Sequence, residues 1–511
     1  MTTLQPSTAA SIEADVTTLR ASFRQGKLKS LESRKRILRQ IQKLVSENTP
    51  LFEEAIMKDL HRHPSELFLA EIAHVLSEVQ EALDYLDDWA APEKVSTNLA
   101  NIPGTSRIVR EPLGVCCIID TFNYPISLAL APLIGCISAG NCGLVRLPPE
   151  GTCDNISAAL ASLIDKYIDA DVVRYVVGGI EPNIAMLKHK FDLIFVTGGL
   201  TIGKIVARAA AEHLTPTILE LGGKSPCIVD ESVDLKLAAK RIAWGSFMNC
   251  GHTCVRPDYL LIHSKIADTF VRLLIDQLRE FFGDDPQQSS SYGRIVNQGH
   301  TKRLVGIVES DRAFVIHGGK SDLADRYLAP TLLNFKSNFQ AFEASASMQD
   351  ELFGPVLPMV YYDQLDPVLD FINGRPKPLA LYVFATNSRM IDTVMKGTTS
   401  GGFVANDTIV HYLNSHLPFG GVGGSGMGAY HGKHSFEAFS HKKSVLLRGS
   451  YLDLPQRYMP YTPSGFRVLK LALSPITRGQ VRFALGTTIV TLAAIAFAFF
   501  QAKLKAKLTK A

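Results

Sequence analysis

Two short stretches carry residue types able to do covalent carbonyl chemistry. Asn249-Cys250-Gly251-His252-Thr253-Cys254 offers Cys254 as a nucleophile, and Leu219-Glu220-Leu221-Gly222-Gly223-Lys224 offers Glu220 as an acid/base group. A thiolate adds readily to an electrophilic carbon, and a carboxylate can take a proton from a thiol or from water. Most cysteines are small buried hydrophobes, so the pair gains meaning only from the elements that position it. A third stretch, residues 192–203, reads as a strand, a turn at Thr197-Gly198-Gly199 and a helix beginning near Ile202 that contains Gly203. Backbone N–H groups at such a helix start favour a pyrophosphate. The spacing is not G-x-G-x-x-G, and a plain turn accounts for Gly198 and Gly199 equally well.

A chain of 511 residues exceeds one ordinary core and implies two or three domains. The net charge of +4 is not gathered into a stripe, and the two tryptophans show no aromatic-basic interleaving. Nucleic-acid binding is therefore set aside. No spacing among the eight cysteines resembles a zinc site, and a chain of this size needs no disulfide framework. Reduced thiols are expected, with Cys116 and Cys117 as core.

Ile37, Leu38, Ile41, Leu44 and Val45 form one helical stripe, and breaks at Thr49-Pro50 and His63-Pro64 divide three amphipathic helices before Pro92. From Gly114 the pattern becomes strand alternating with helix: strands at 115–119, 142–145, 172–177 and 193–196, with a helix at 126–139. That alternation implies a parallel, doubly wound α/β sheet whose ligands sit at strand C-terminal ends. Residues 348–356 follow, then the glycine-rich 418–428, which reads as a flexible loop, and 435–447 reads as a terminal strand. Four helix-breaking residues (Pro455, Pro460, Pro463 and Gly465) make 449–466 a spacer.

Residues 483–500 carry no charge, and as a helix they span about 27 Å at ~1.5 Å per residue, close to a bilayer's hydrocarbon thickness. Lys503, Lys505, Lys507 and Lys510 follow without an acid. With no apolar signal region at the N-terminus, this reads as a single-pass C-terminal tail anchor. The body would face the cytosol, in endoplasmic reticulum or mitochondrial outer membrane; a buried core helix is the alternative.

In this order the pieces resemble the aldehyde dehydrogenase superfamily, in particular class 3 and its membrane-anchored fatty aldehyde dehydrogenases. The likeness covers about residues 20–450. It implies an aldehyde dehydrogenase fold with a Rossmann-like cofactor domain over 1–220, helical at 11–92, and an α/β catalytic domain over 221–420. A return and oligomerisation segment over 421–448 would pair strands across a homodimer. A linker over 449–481, an anchor over 482–501 and a basic tail over 502–511 would complete the chain.

The resemblance also implies residue roles. Cys254 matches the nucleophile, Glu220 the general base that activates the deacylating water, and Asn123 in Thr121-Phe122-Asn123-Tyr124-Pro125 the amide that stabilises the oxyanion together with the Cys254 N–H. Glu351 would hold the nicotinamide ribose, with Phe353 against the ring. Thr197, Gly198, Gly199, Gly203, Leu221 and Gly222 complete the expected cofactor site. Cys250 and His252 depart from the family's usual small residue and glutamine, and read as bystander and loop packing. No metal is implied.

At the adenosine end, Arg146-Leu147-Pro148-Pro149 replaces the family's Lys-Pro-Ser-Glu, with Glu150 one position late. A carboxylate there favours NAD over NADP; the substitution leaves NADP open beside NAD. The expected function is oxidation of long-chain aliphatic aldehydes through a cysteine thiohemiacetal and thioester. Oxidation of another lipophilic aldehyde, apocarotenoid or aromatic, and a non-catalytic membrane-bound scaffold are the alternatives.

Overall fold

The computed structural model describes residues 4–98, 101–451 and 453–474, with single positions beyond. The chain forms two compact units, residues 1–91 with 110–442, and residues 92–109 with the chain from 443 onward.

In the first unit a six-stranded sheet runs in the order Gly426–Met427, Thr217–Glu220, Leu193–Thr197, Val115–Ile119, Cys142–Arg146, Val173–Val176. Every pairing is parallel except that of Gly426–Met427 with Thr217–Glu220. The strands Val115–Ile119, Cys142–Arg146 and Leu193–Thr197 are buried at all five positions. Continuous apolar runs suit this placement, because helices cover both faces of a parallel sheet. The helix Pro125–Ala139 is buried along its whole length, starts with proline and ends at Gly140 in the left-handed region at φ 94°. Cys116 and Cys117 are core, as expected. The stripe Ile37, Leu38, Ile41, Leu44 and Val45 is fully buried on the helix Leu31–Ser46, which Ser30 caps by accepting the Ser33 N–H.

A seven-stranded sheet follows in the order Val315–His317, Thr331–Asn334, Val356–Tyr362, Tyr259–His263, Pro226–Val229, Ala380–Phe384, Gly402–Ala405. The first pair is antiparallel and the rest are parallel. A separate three-stranded sheet joins Glu93–Val95, Thr105–Pro112 and Ser440–Leu447.

Four expectations change. The helix after the glycine turn begins at Leu200 rather than near Ile202, because Gly199 already has the extended N-cap conformation. The stretch 435–447 is not one strand: Gly432–Ala438 is helical and the strand is Ser440–Leu447. Ser435 Oγ accepts the His431 N–H at 2.8 Å and Phe436 is buried, which suits a helical turn better than an alternating strand. The spacer also ends early. Thr462 accepts the Gly465 N–H and Pro463 takes the first helical position of Pro463–Leu473, so two apparent breakers are helix-start signals. The glycine-rich 418–428 is not a free loop, since Gly426–Met427 pairs with the strand that ends in Glu220. The stretch 483–500 falls outside the described chain; no helix among the described residues is long and apolar enough to cross a membrane.

Gly426 has φ 139°, and a Cβ there would meet the Leu219 carbonyl oxygen at 2.0 Å. Gly306 lies exposed in the helix Gln298–Ser310, with nothing within 4 Å of a Cβ. Gly426→Ala should lower unfolding stability by about 1–3 kcal/mol, whereas Gly306→Ala should raise it by up to ~1 kcal/mol. Urea denaturation of both variants checks the pair; equal effects would contradict the tight return strand.

Candidate active site

The strand order reverses between Val115–Ile119 and Leu193–Thr197, and a crevice opens at such a point beyond the strand C-termini. Thr121-Phe122-Asn123 leaves one of these strands, Thr197-Gly198-Gly199 leaves the other, and Glu220 ends the next strand along. Glu220 is locked in register by main-chain pairing: it sits opposite Thr197 and Gly426, and its carbonyl accepts the Gly198 N–H at 3.0 Å.

The nucleophile's loop follows the helix Leu235–Phe247. Asn249, Cys250 and Gly251 take positive φ of 51°, 52° and 75° in succession. Left-handed backbone at two non-glycine residues costs energy and persists where surroundings hold it. Here Asn249 Nδ2 donates to the Asn123 carbonyl at 2.6 Å, and Glu66 accepts the Asn249 N–H. Gly251 has no alternative, because a Cβ would meet the Gly354 carbonyl oxygen at 2.4 Å. Asn123 Nδ2 donates one hydrogen to the His252 carbonyl at 3.0 Å, leaving its second N–H. Tyr124 Oη and Thr253 Oγ1 lie 2.5 Å apart.

Two buried charged clusters fasten these loops. Glu71 pairs with Arg62 and accepts the Ile126 and Ser127 N–H groups at 2.7 and 3.0 Å, capping the helix Pro125–Ala139. Arg62 Nη1 in turn donates to the Asn123 carbonyl at 2.9 Å. On the other side, Lys224 pairs with Asp258 and donates to the Ser347 and Asp350 carbonyls at 2.8 and 3.1 Å. Arg256 Nη2 donates to the Val356 carbonyl at 2.6 Å. These contacts fix the segment that carries Glu351 and Phe353.

Cys254 lies where two cavities meet. One is a tight apolar cavity walled by Leu69, Leu128, Trp244, Met248, Tyr412 and Phe419 that reaches Cys254 and Glu220. The other, roomier and more polar, contains Asn123, Thr197, Gly198, Gly199, Glu351 and Phe353 and reaches the same two residues. Cys254 is the one cysteine with appreciable exposure. Its thiol is pushed up to about 12, first by burial and then by the neighbouring Glu351 and Glu220 carboxyls, against the N–H groups of Cys254 and Val255. Burial also raises Glu220 well above the carboxylate range, and both its oxygens lack a hydrogen-bond partner among the described residues. Glu351 is pushed up to about 8 by burial and by Asp258.

The cavity that holds Phe353 fits a dinucleotide. The first N–H groups of the helix Leu200–Ala211 have no intrahelical acceptor, and a Cβ on Gly199 would meet nothing within 4 Å. Thr197 Oγ1 and Glu351 Oε1 are buried without partners among the described residues. At Gly222 a Cβ would meet Glu351 Oε2 at 2.1 Å, and at Gly203 one would meet Leu221 at 2.8 Å, so each glycine lets a neighbour close in.

Arg146 departs from its expected exposure to the adenosine end. It is buried, its Nε donates to Asn183 Oδ1, and its other donors go to the carbonyls of Leu147, Pro148, Gly178 and Gly179. It shapes two loops and presents no free charge, whereas Glu150 beside it is exposed. His252 is buried against Phe122, with ring centroids 5.5 Å apart, and burial keeps its imidazole neutral, at about 3. Cys250 is buried, and burial pushes its thiol up to about 12. Sequence reasoning missed Arg62, Glu71, Tyr124 and the aromatic channel wall. The His61-Arg62-His63-Pro64 run is a helix exit that carries no sign of a buried guanidinium.

The aldehyde dehydrogenase family profile matches residues 1–445. The mouse "Aldehyde dehydrogenase, dimeric NADP-preferring" is 44% identical over 439 residues, 86% of this chain and 95% of that protein. Mouse "Aldehyde dehydrogenase family 3 member B1" is 43% identical over 465 residues, 91% of this chain and 97% of that protein. The structure titled "Substrate bound state of Staphylococcus Aureus AldH" superposes with a TM-score of 0.86 at 39% identity, covering 90% of this chain and 99% of that one. By profile, by sequence and by fold, the chain belongs to the aldehyde dehydrogenase family, in its class 3-like branch, and is an NAD(P)-dependent oxidoreductase acting on aldehydes.

Proposed function

We propose that this enzyme oxidises long-chain aliphatic aldehydes to carboxylic acids while anchored to a membrane as a homodimer. The observation that carries the reading is the apolar cavity that meets the polar cleft at Cys254. An alkyl chain loses no hydrogen bonds in such a channel and gains about 25 cal/mol for each Å² removed from water. The uncharged stretch 483–500 would keep the channel near the lipid phase into which such aldehydes partition. Endoplasmic reticulum and mitochondrial outer membrane both suit its length, with the body facing the cytosol.

Cys254 Sγ adds to the aldehyde carbon, and its proton goes to Glu220, whose unpartnered carboxyl oxygens line the same space. The developing oxyanion meets the second Asn123 N–H and the Cys254 N–H; one such donor contributes on the order of 3 kcal/mol. Thr197, the Leu200–Ala211 helix start, Glu351 and Phe353 would hold a dinucleotide, which would supply the acceptor for the hydride that leaves this carbon; a thioester remains on Sγ. Once Glu220 has released the thiol proton to solvent, it takes another from water as the water attacks the thioester. The C–S bond breaks, the acid departs, and Glu220 returns the proton to the thiolate. At the adenosine end, exposed Glu150 and inward-turned Arg146 favour a ribose 2′-hydroxyl over a 2′-phosphate, and hence NAD over NADP.

Several outcomes follow from these roles. Cys254→Ala should abolish aldehyde-dependent NAD(P)H formation in a folded protein, and full activity would sink the nucleophile. Glu220→Gln should cut kcat by about 10²–10⁴ and slow single-turnover NAD(P)H formation with it; an unchanged kcat would remove Glu220 as base. With the thiol at about 12, iodoacetamide alkylation of Cys254 in the cofactor-free protein, followed by mass spectrometry, should keep rising through pH 10. A plateau near pH 8.5 would contradict a thiol held protonated by burial. A panel from short aliphatic aldehydes through C16 to apocarotenals and aromatic aldehydes, run with NAD and NADP in parallel, tests the substrate. kcat/KM should climb with chain length, and a peak at aromatic or apocarotenoid substrates would replace the fatty-aldehyde reading. Truncation after Ser474, beyond the last described helix, should release active soluble enzyme; continued pelleting with membranes would refute a sole C-terminal tether.

A further inference from the structure

A cluster of metal-ligating side chains that the reaction does not use lies behind the channel wall. His74 and Glu78 stand one turn apart on the helix Ala73–Ala90, so their side chains share a face. His431 immediately precedes the helix Gly432–Ala438 and faces them. One ligand atom from each residue lies within 4.8 Å of the other two. All three side chains are buried, at 3%, 1% and 0% exposure. His74 Nε2, Glu78 Oε1 and both nitrogens of His431 have no hydrogen-bond partner among the described residues.

Leaving buried polar atoms unpaired costs about 1–3 kcal/mol for each group. Such a set calls for a compensating partner, and the Tyr430 hydroxyl, on a ring 4.4 Å from that of His431, is likewise unpaired among the described residues. The His74 ring lies 4.3 Å from that of Tyr412, and Phe419 stacks on His431 at 5.1 Å. Tyr412 Oη is already engaged with Ser127. Glu78 is oriented for ligation: its Oε2 accepts the Gly432 N–H at 2.8 Å, which leaves Oε1 facing the imidazoles. Second-shell bonds of this kind aim metal-binding carboxylates.

We propose that His74, Glu78 and His431 form a buried site for one divalent transition-metal ion. Two imidazoles and a carboxylate are a nitrogen and oxygen donor set that suits zinc, with a fourth position left for water. Bonds of about 2.0–2.1 Å place tetrahedral ligand atoms about 3.3 Å apart. Closing the present triangle therefore asks each side chain to move by less than about 1 Å. The ion would staple the helix Ala73–Ala90 to the turn at His431, and would thereby brace Tyr412 and Phe419 of the channel wall. Because the site is enclosed, the metal would enter as the chain folds.

The test is refolding of the full chain in the presence of Zn²⁺, followed by equilibrium dialysis against Zn²⁺, with metal counted by mass spectrometry. It is run in a Cys254→Ser background so that the reactive thiol does not bind the probe. About one zinc for each chain is expected, with affinity at least tenfold weaker in Glu78→Gln and in His74→Asn. Absence of zinc binding at micromolar concentration, or binding unchanged in both variants, would overturn the site and leave a Glu78–imidazole hydrogen bond as the cluster's content. If the variants fail to fold, Co²⁺ loading of the Cys254→Ser chain decides. A four-coordinate nitrogen/oxygen spectrum at one cobalt for each chain supports the site, and a thiolate charge-transfer band or an absent spectrum rejects it.

Discussion

The buried Arg62–Glu71 pair is the contact on which the catalytic geometry depends. An ion pair without water is stable only when the remaining hydrogen-bonding capacity is filled, and removal of one partner costs about 3–5 kcal/mol. Here the reacting loops themselves take up most of that capacity, and Arg62 Nε faces Glu66 Oε1 at 3.9 Å. Glu71 takes the first N–H groups of the helix Pro125–Ala139, and Arg62 takes the carbonyl of Asn123. The same carbonyl receives the amide of Asn249, so the oxyanion donor and the nucleophile's loop share one anchor. A displacement of either charge would move both reacting groups together.

Lys224, Arg256 and Asp258 do the corresponding work for the cofactor face, tying Ser347, Asp350 and Val356 into one rigid segment. Between the two clamps, Cys254 and Glu220 occupy the only walls that the apolar channel and the polar cleft are seen to share with Thr197 and Leu221 among the described residues. Substrate and hydride acceptor can thus reach the same sulfur through separate cavities without crossing. The channel's aromatic wall leans on His74 and His431, which links its shape to a cluster outside the chemistry.

Much of this was legible from the chain alone, for identifiable reasons. The strands at 115–119 and 193–196 announce themselves because a parallel sheet buried on both faces demands unbroken apolar runs. Cys254, Glu220, Asn123 and Glu351 sit in local motifs whose spacing survives in sequence. Arg62, Glu71 and the channel aromatics were invisible, because their significance lies in contacts between segments far apart in the chain. Arg146 was misjudged for a related reason: sequence shows a cation at a cofactor position, whereas only the fold shows its donors turned onto Gly178 and Gly179. The helices at Gly432–Ala438 and Pro463–Leu473 were hidden by serine, glycine and proline, which mark a helix start as readily as a break.

The return strand Gly426–Met427 has a consequence for how the enzyme comes into being. It lies more than two hundred residues beyond the strand Thr217–Glu220 that it flanks, and the Phe419–Tyr430 bridge closes just around it. Domains fold as they emerge during synthesis, N-terminal parts first. The cofactor sheet must therefore wait, unfinished at the edge beside its base, until the whole catalytic sheet has left the ribosome. Only a nearly complete chain can assemble the site, so a truncated nascent product carries the nucleophile without the framework that would make it reactive.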